Sequence, residues 1–170
     1  METALEQVLT NNYKVQMIRW MDDHPEAFDD AIQLAVSDVP RYSWRAAWLL
    51  WSCMEKNDPR VRPHINTIIN SLTTKNPNHQ RELLKILLLM EINEEHEGVL
   101  FDICTTQWEK ISNPPSVRHN ALQMILRIAT NHPGLSQEIK LILQDQYMDS
   151  LSPAAIKSIR KMTRWIYPSG

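Results

Sequence analysis

The stretch RYSWRAAWLLWSCME, residues 41–55, brings three tryptophans, two arginines and a glutamate into a few helical turns. Tryptophan and arginine are the side chains best suited to anchor a partner, and an indole face also attracts cations. Projected at 100° per residue, Arg41, Arg45, Trp48, Ser52 and Glu55 fall in one arc, whereas Trp44 and Trp51 turn toward Ala47 and Met54. The projection predicts two core rings and one ring, Trp48, on a polar strip.

Other reactive residue types are present without the spacing that chemistry requires. The six histidines form no HExxH or paired-ligand pattern, and His24, His64, His79 and His132 fall in turns or near helix starts, where solvated side chains are expected. Cys53 and Cys104 lie far apart inside apolar helical patterns and read as small buried hydrophobes. EINEEHE, at 91–97, reads as an acidic helix start rather than a cation site. With three glycines there is no phosphate-cradling loop or nucleophile elbow, so neither a metal nor a cofactor is expected.

The elements that must position these residues are helices. Apolar residues recur at i, i+3, i+4 and i+7 in segments of 12 to 18 residues, separated by Asp, Asn or Ser close ahead of proline: DDHP, NDP, NPN, NPP, NHP and LSP. Each such joint predicts a side-chain cap followed by proline in the first turn. The breaks alternate. Outer helices begin near 24, 59, 95 and 133, and inner helices near 43, 79, 116 and 153, a pair recurring every 36 or so residues. That period is the mark of an α-solenoid. The expected organisation is a single domain over 1–170, with cap helices over 1–21 and helix pairs at 22–57, 58–92, 93–132 and 133–167. The inner segments WRAAWLLWSCM, RELLKILLLM and ALQMILRIA are apolar nearly all round, so they should lie between other helices.

No apolar run reaches the roughly 18 residues of a membrane span. The N-terminus carries acids at positions 2 and 6 and no basic segment ahead of an apolar run, so no secretory signal and no membrane partner are expected, and the expected location is cytoplasmic.

These residues resemble the HEAT and armadillo-like repeat families. SVRHNALQMILRIATNHP, from 116, is similar to a HEAT second helix, with Arg118 early, Ala121 next and a closing Asn-His-Pro turn. The ordered set WRAAWLLW, QRELLKILLLMEI and EGVLFDIC resembles small bacterial HEAT-like proteins of unknown function, some labelled adenylosuccinate lyase. The lyase signature loop is absent from this sequence. The resemblance implies an all-α fold, a right-handed α-α superhelix of about four helix pairs plus the cap, with the second helices lining a concave side. A more distant similarity is to HEAT-like DNA alkylpurine glycosylases, which implies a DNA-repair alternative with Trp48 and Glu55 as the aromatic and carboxylate of a groove.

Charge sorts by layer. The inner segments 41–57, 78–92, 116–132 and 154–166 hold eleven Lys or Arg against three acids, and the outer segments hold five against fifteen. The near-zero net charge therefore hides a basic inner layer and an acidic outer one. The candidate binding strip is Arg41, Arg45, Trp48 and Ser52 on the first inner helix, Arg81 and Lys85 on the second, His119, Gln123 and Arg127 on the third, and Lys157, Arg160, Lys161 and Arg164 on the fourth. Arg118 falls out of phase, near the apolar face. A strip of one sign draws the opposite sign, so the expected function is a non-enzymatic interaction scaffold for an acidic partner, a protein segment or a nucleic acid. Asp38 is placed to pair with Arg41 or Arg45 within the scaffold.

Overall fold

The computed structural model describes residues 1–167, and among these every regular element is a helix. The chain divides into two compact units, Met1–Asn93 and Glu94 onward.

The first unit contains α1 (Ala4–Asn11), α2 (Lys14–Asp23), α3 (Phe28–Val36), α4 (Ser43–Cys53), α5 (Ile65–Ser71) and α6 (Pro77–Leu88), with single 3-10 turns ahead of α3 and on either side of α5. α4 is the hub. It packs on α3 and lies against both α2 and α6. It can do so because its buried side is built from Ser43, Ala46, Ala47, Leu49 and Leu50, small enough at three of five positions to admit neighbouring helices closely. α6 contributes Leu83, Leu84, Ile86 and Leu87, none more than 1% exposed.

The loop after α4 is fastened at two points. Asn57 takes a left-handed backbone (φ 53°), which its short polar side chain tolerates, and its N–H donates to the Leu89 carbonyl at the end of α6 (2.6 Å). Asp58, 1% exposed, accepts hydrogen bonds from the Glu55 and Arg60 backbone N–H groups (both 3.0 Å) and from the Arg60 guanidinium (2.7 and 3.0 Å). Those contacts hold its carboxyl down at about 2, and Arg60 covers the buried Phe28 ring at 3.9 Å.

The second unit contains α7 (Glu94–Glu109), α8 (Pro115–Thr130), α9 (Ser136–Ile142), α10 (Asp145–Met148) and α11 (Pro153–Met162), with a 3-10 turn at Pro133–Leu135. α7 and α8 form its main pair. α8 is buried at ten positions, including Arg118 at 1% exposure. The Arg118 Nε donates to the Trp108 carbonyl (2.8 Å) and its Nη2 to the Tyr147 carbonyl (2.6 Å), with the guanidinium 4.3 Å from the Trp108 ring centre. Both carbonyls lie in the last turn of a helix, α7 and α10, where no intrahelical donor reaches them. A cation there meets the negative end of the helix dipole. Arg118 is out of phase because it is an internal strut that closes two helix ends.

Of the six proline joints, the one at Asp58–Pro59 lies in a turn, the one before α8 has Pro114 itself as N-cap with no side-chain hydrogen bond, and the other four divide into two kinds. Asn76 and Ser152 cap α6 and α11 through their side chains, accepting from the N–H groups of His79 and Ala155, with proline at the next position. Ahead of Pro25 and Pro133 stand His24 and His132, and the prolines open 3-10 turns with no side-chain cap. The expected cap at every joint is therefore corrected, because an intervening histidine moves Asp23 and Asn131 one residue too far back.

Candidate functional site

In the first unit the solvent side of α4 carries all three tryptophans. Trp44 is 40% exposed and Trp48 and Trp51 are half-buried, so the expectation that Trp44 and Trp51 belong to the core is overturned. The angular order along the helix was right and the boundary of the buried arc was not. Ser43, Ala46 and Ala47 leave no space for an indole on the packed side, so the three rings share the opposite arc.

The rings are organised by cations. Trp48 and Trp51 meet edge to face with centres 6.4 Å apart. The Lys14 ammonium, from the start of α2, lies 5.6 Å from one ring centre and 5.8 Å from the other, and the Lys85 ammonium, from α6, lies 4.3 Å from Trp51. Arg45 lies 5.1 Å from Trp44, donates to the Leu9 carbonyl (3.3 Å) and keeps its Nε buried without a partner. Beneath them, the Glu82 carboxylate, 3% exposed, accepts from the Trp51 indole N–H and from Arg81 Nε (3.0 Å). Glu82 therefore fixes the orientation of one ring while compensating only one cation.

Among the sequence-derived strip residues of this unit, Trp48, Arg81 and Lys85 are joined through Trp51 and Glu82, while Arg45 lies apart from them over Trp44. Arg41 lies ahead of α4 and pairs with Glu2 at 3.2 Å, and Ser52 turns back to its own helix, donating to the Trp48 carbonyl (2.7 Å). Asp38 serves neither Arg41 nor Arg45; it pairs with Lys75 at 2.6 Å, and that hydrogen bond holds its carboxyl below the ordinary range. Glu55 falls beyond the end of α4, where Met54 is already extended, so the helical projection that aligned it with Trp48 does not apply.

In the second unit His119, Gln123 and Arg127 lie half-buried along the narrow open arc of α8. Burial lowers the proton affinity of His119 and Arg127, with the charge of Glu97 opposing the shift at Arg127. Lys157, Arg160, Lys161 and Arg164 are exposed on and just after α11. The histidines are more engaged than solvated turns would be. His79 is 6% exposed with Nε2 against the Ala35 carbonyl (2.7 Å), and burial lowers its pKa; His132 Nε2 lies 2.8 Å from Glu97. Burial pushes the Cys53 thiol up to about 11 and that of Cys104 higher still. Among the described residues no group of three His, Cys, Asp or Glu side chains gathers to hold a metal, and no helix is long and apolar enough to cross a membrane.

Four residues of the first-unit cluster, Lys14, Trp44, Trp51 and Glu82, lie outside the sequence-derived strip. Trp51 was discounted as core, although it lies within 60° of Trp48 on the helical wheel. Lys14 precedes the repeats read from the sequence, and nothing local to it signals that α2 lies beside α4.

Successive helices packed in pairs, α3 with α4 and α7 with α8, are the arrangement of a helical-repeat protein. The family model for the HEAT repeat domain matches residues 1–165, nearly the whole chain, and the protein belongs to that family. No curated protein and no solved structure matches the chain.

Proposed function

We propose that the protein is a non-enzymatic interaction scaffold whose first unit binds an acidic protein segment through the tryptophan-cation face of α4 and α6. The observation that carries this reading is the set of three indoles on the open side of α4 with Lys14, Lys85 and Arg45 lying over them. Trp44, 40% exposed, and the open parts of the half-buried Trp48 and Trp51 leave aromatic surface facing solvent, and aromatic side chains beside cations are the usual anchors of a protein contact. Among the described residues Lys14, Lys85 and Arg45 make no ion pair with a carboxylate, so an incoming Asp or Glu meets them at modest desolvation cost. Aliphatic or aromatic side chains of the same segment would cover Trp44 and Trp48. In the second unit Arg127, Lys157 and Lys161 offer cationic contacts to the same kind of partner, with His119 and Gln123 as neutral polar groups of the strip.

A protein segment is favoured over DNA by the charge count on the face. Arg41 and Arg81 are already compensated by Glu2 and Glu82, and Lys14, Arg45 and Lys85 remain, few against the one negative charge per roughly 1.7 Å that a duplex presents. The test is fluorescence anisotropy with two labelled probes, an acidic peptide containing Phe and Leu, and a duplex DNA, each at physiological salt. Saturable peptide binding that Trp48→Ala weakens about 30-fold or more, with little duplex binding, supports the proposal. Duplex binding that is stronger than peptide binding and collapses steeply with salt transfers the function to nucleic acid. Binding of neither probe removes the reading.

A further inference from the structure

The second unit contains a cavity of about 400 Å³ between α10 and α11. Its apolar surface comes from Met148, Ile156 and neighbouring side chains; its polar surface comes from two carboxylates, Asp145 and Asp149, and two guanidiniums, Arg160 and Arg164. The acids are four residues apart on one helical turn, with the Asp149 N–H bonded to the Asp145 carbonyl (2.9 Å), so they share a side; Arg160, in the last turn of α11, and Arg164, just after it, line the same cavity. None of these four side chains makes an ion pair or a side-chain hydrogen bond within the described protein. Opposite charges thus line one cavity without meeting across it.

From this arrangement we infer a binding site for a small zwitterion with an apolar body, the size of a di- or tripeptide, whose ammonium end is held by Asp145 and Asp149 and whose carboxylate end is held by Arg160 and Arg164. Guanidiniums match a carboxylate with paired hydrogen bonds, and two carboxylates together match the three donors of an ammonium. The volume lies in the range of small-molecule pockets, and the aliphatic surface between the charged groups accounts for an apolar middle. A purely anionic ligand would leave Asp145 and Asp149 facing it with like charge, and a purely cationic one would do the same with the arginines. Two of the four cations that the sequence places together on the basic strip, Arg160 and Arg164, therefore line a bipolar pocket as well as a basic concavity shared with Lys157 and Lys161. The inference uses the second unit alone and stands or falls separately from the α4 face.

The test is isoleucine-methyl NMR of the full chain, titrated with the tripeptide Leu-Leu-Leu, its N-acetylated form and its C-terminal amide. The free tripeptide should shift the Ile156 and Ile159 methyl signals saturably, and each cap should weaken binding by about tenfold, the loss of one charged hydrogen-bonded contact. Arg160→Gln combined with Arg164→Gln should bind acid and amide alike, and Asp145→Asn combined with Asp149→Asn should bind amine and acetyl forms alike; all four residues are exposed, so the fold is retained. Absence of a saturable shift with the free tripeptide overturns the inference. So does equal affinity for the free peptide and either capped form.

Discussion

Replacing Arg118 by methionine isolates the physical role of the one arginine that lies out of phase on α8. The substitution keeps an unbranched side chain of similar reach against Trp108 and removes every donor. Two helix-terminal carbonyls, of Trp108 and Tyr147, then lose their partners in an interior from which Arg118 itself is 1% exposed, and the weaker contact to Ser150 Oγ (3.4 Å) is lost as well. Hydrogen bonds to charged groups contribute about 1.5–3 kcal/mol each, so the two short ones give a loss of about 3–6 kcal/mol. That is a large part of the total of about 5–15 kcal/mol that holds a domain folded. Burial lowers the proton affinity of the guanidinium, which marks a desolvation cost that methionine does not incur, so the lower end of the range is expected. Urea unfolding followed by circular dichroism measures the difference directly from the midpoint at unchanged slope. A loss below about 1 kcal/mol, or a gain, would show that the carbonyls are satisfied without Arg118 and that the strut account is wrong.

Other consequences follow from the same contacts. Trp108→Ala, at a 0% exposed ring, should cost about 3–5 kcal/mol, whereas Trp44→Ala at 40% exposure should cost less than about 1 kcal/mol; comparable losses in urea unfolding would return Trp44 to the core. Asp58, held at about 2, has a folded pKa below its unfolded value, so its stabilisation is present above about pH 4 and is lost as pH falls toward 2. That component amounts to about 2 kcal/mol, and an Asp58→Asn variant should lack it in acid titrations of stability. For His79, whose pKa burial lowers, stability should be complete above its ordinary value and decline as pH falls through it; a His79→Gln variant with an unchanged acid profile would contradict this. The Cys104 thiol should resist a disulfide reagent in the native protein and react promptly in urea, with Cys53 intermediate between the two.

What the sequence made legible was the part governed by period and punctuation. Helices begin at Ser43, Pro77, Pro115 and Pro153, close to the expected inner starts, because proline and apolar spacing are local signals. The orientation of α4 was less legible. A large apolar ring is counted toward the core by composition, yet Ser43, Ala46 and Ala47 decide which side faces the neighbours, since close packing of helices demands small side chains at the contact. The pairing of charges was not legible at all. Asp38 with Lys75 and Lys14 with two rings are contacts between distant segments, set by how helices lie side by side, and no spacing within either segment encodes them. The cavity between α10 and α11 was hidden for a related reason: Arg160 and Arg164 share a face with Lys157 and Lys161 on a helical wheel, and nothing on that wheel places Asp145 and Asp149 beside the two arginines.

The central claim, that the open side of α4 is the docking surface, is tested most directly by the indole N–H signals in an NMR titration with the acidic peptide. The account predicts that the resonances of Trp44, Trp48 and Trp51 shift together and saturate at one concentration, while that of Trp108, bonded to the Ile142 carbonyl in the second unit's core, stays fixed. Saturable peptide binding that leaves the three α4 signals in place would contradict it.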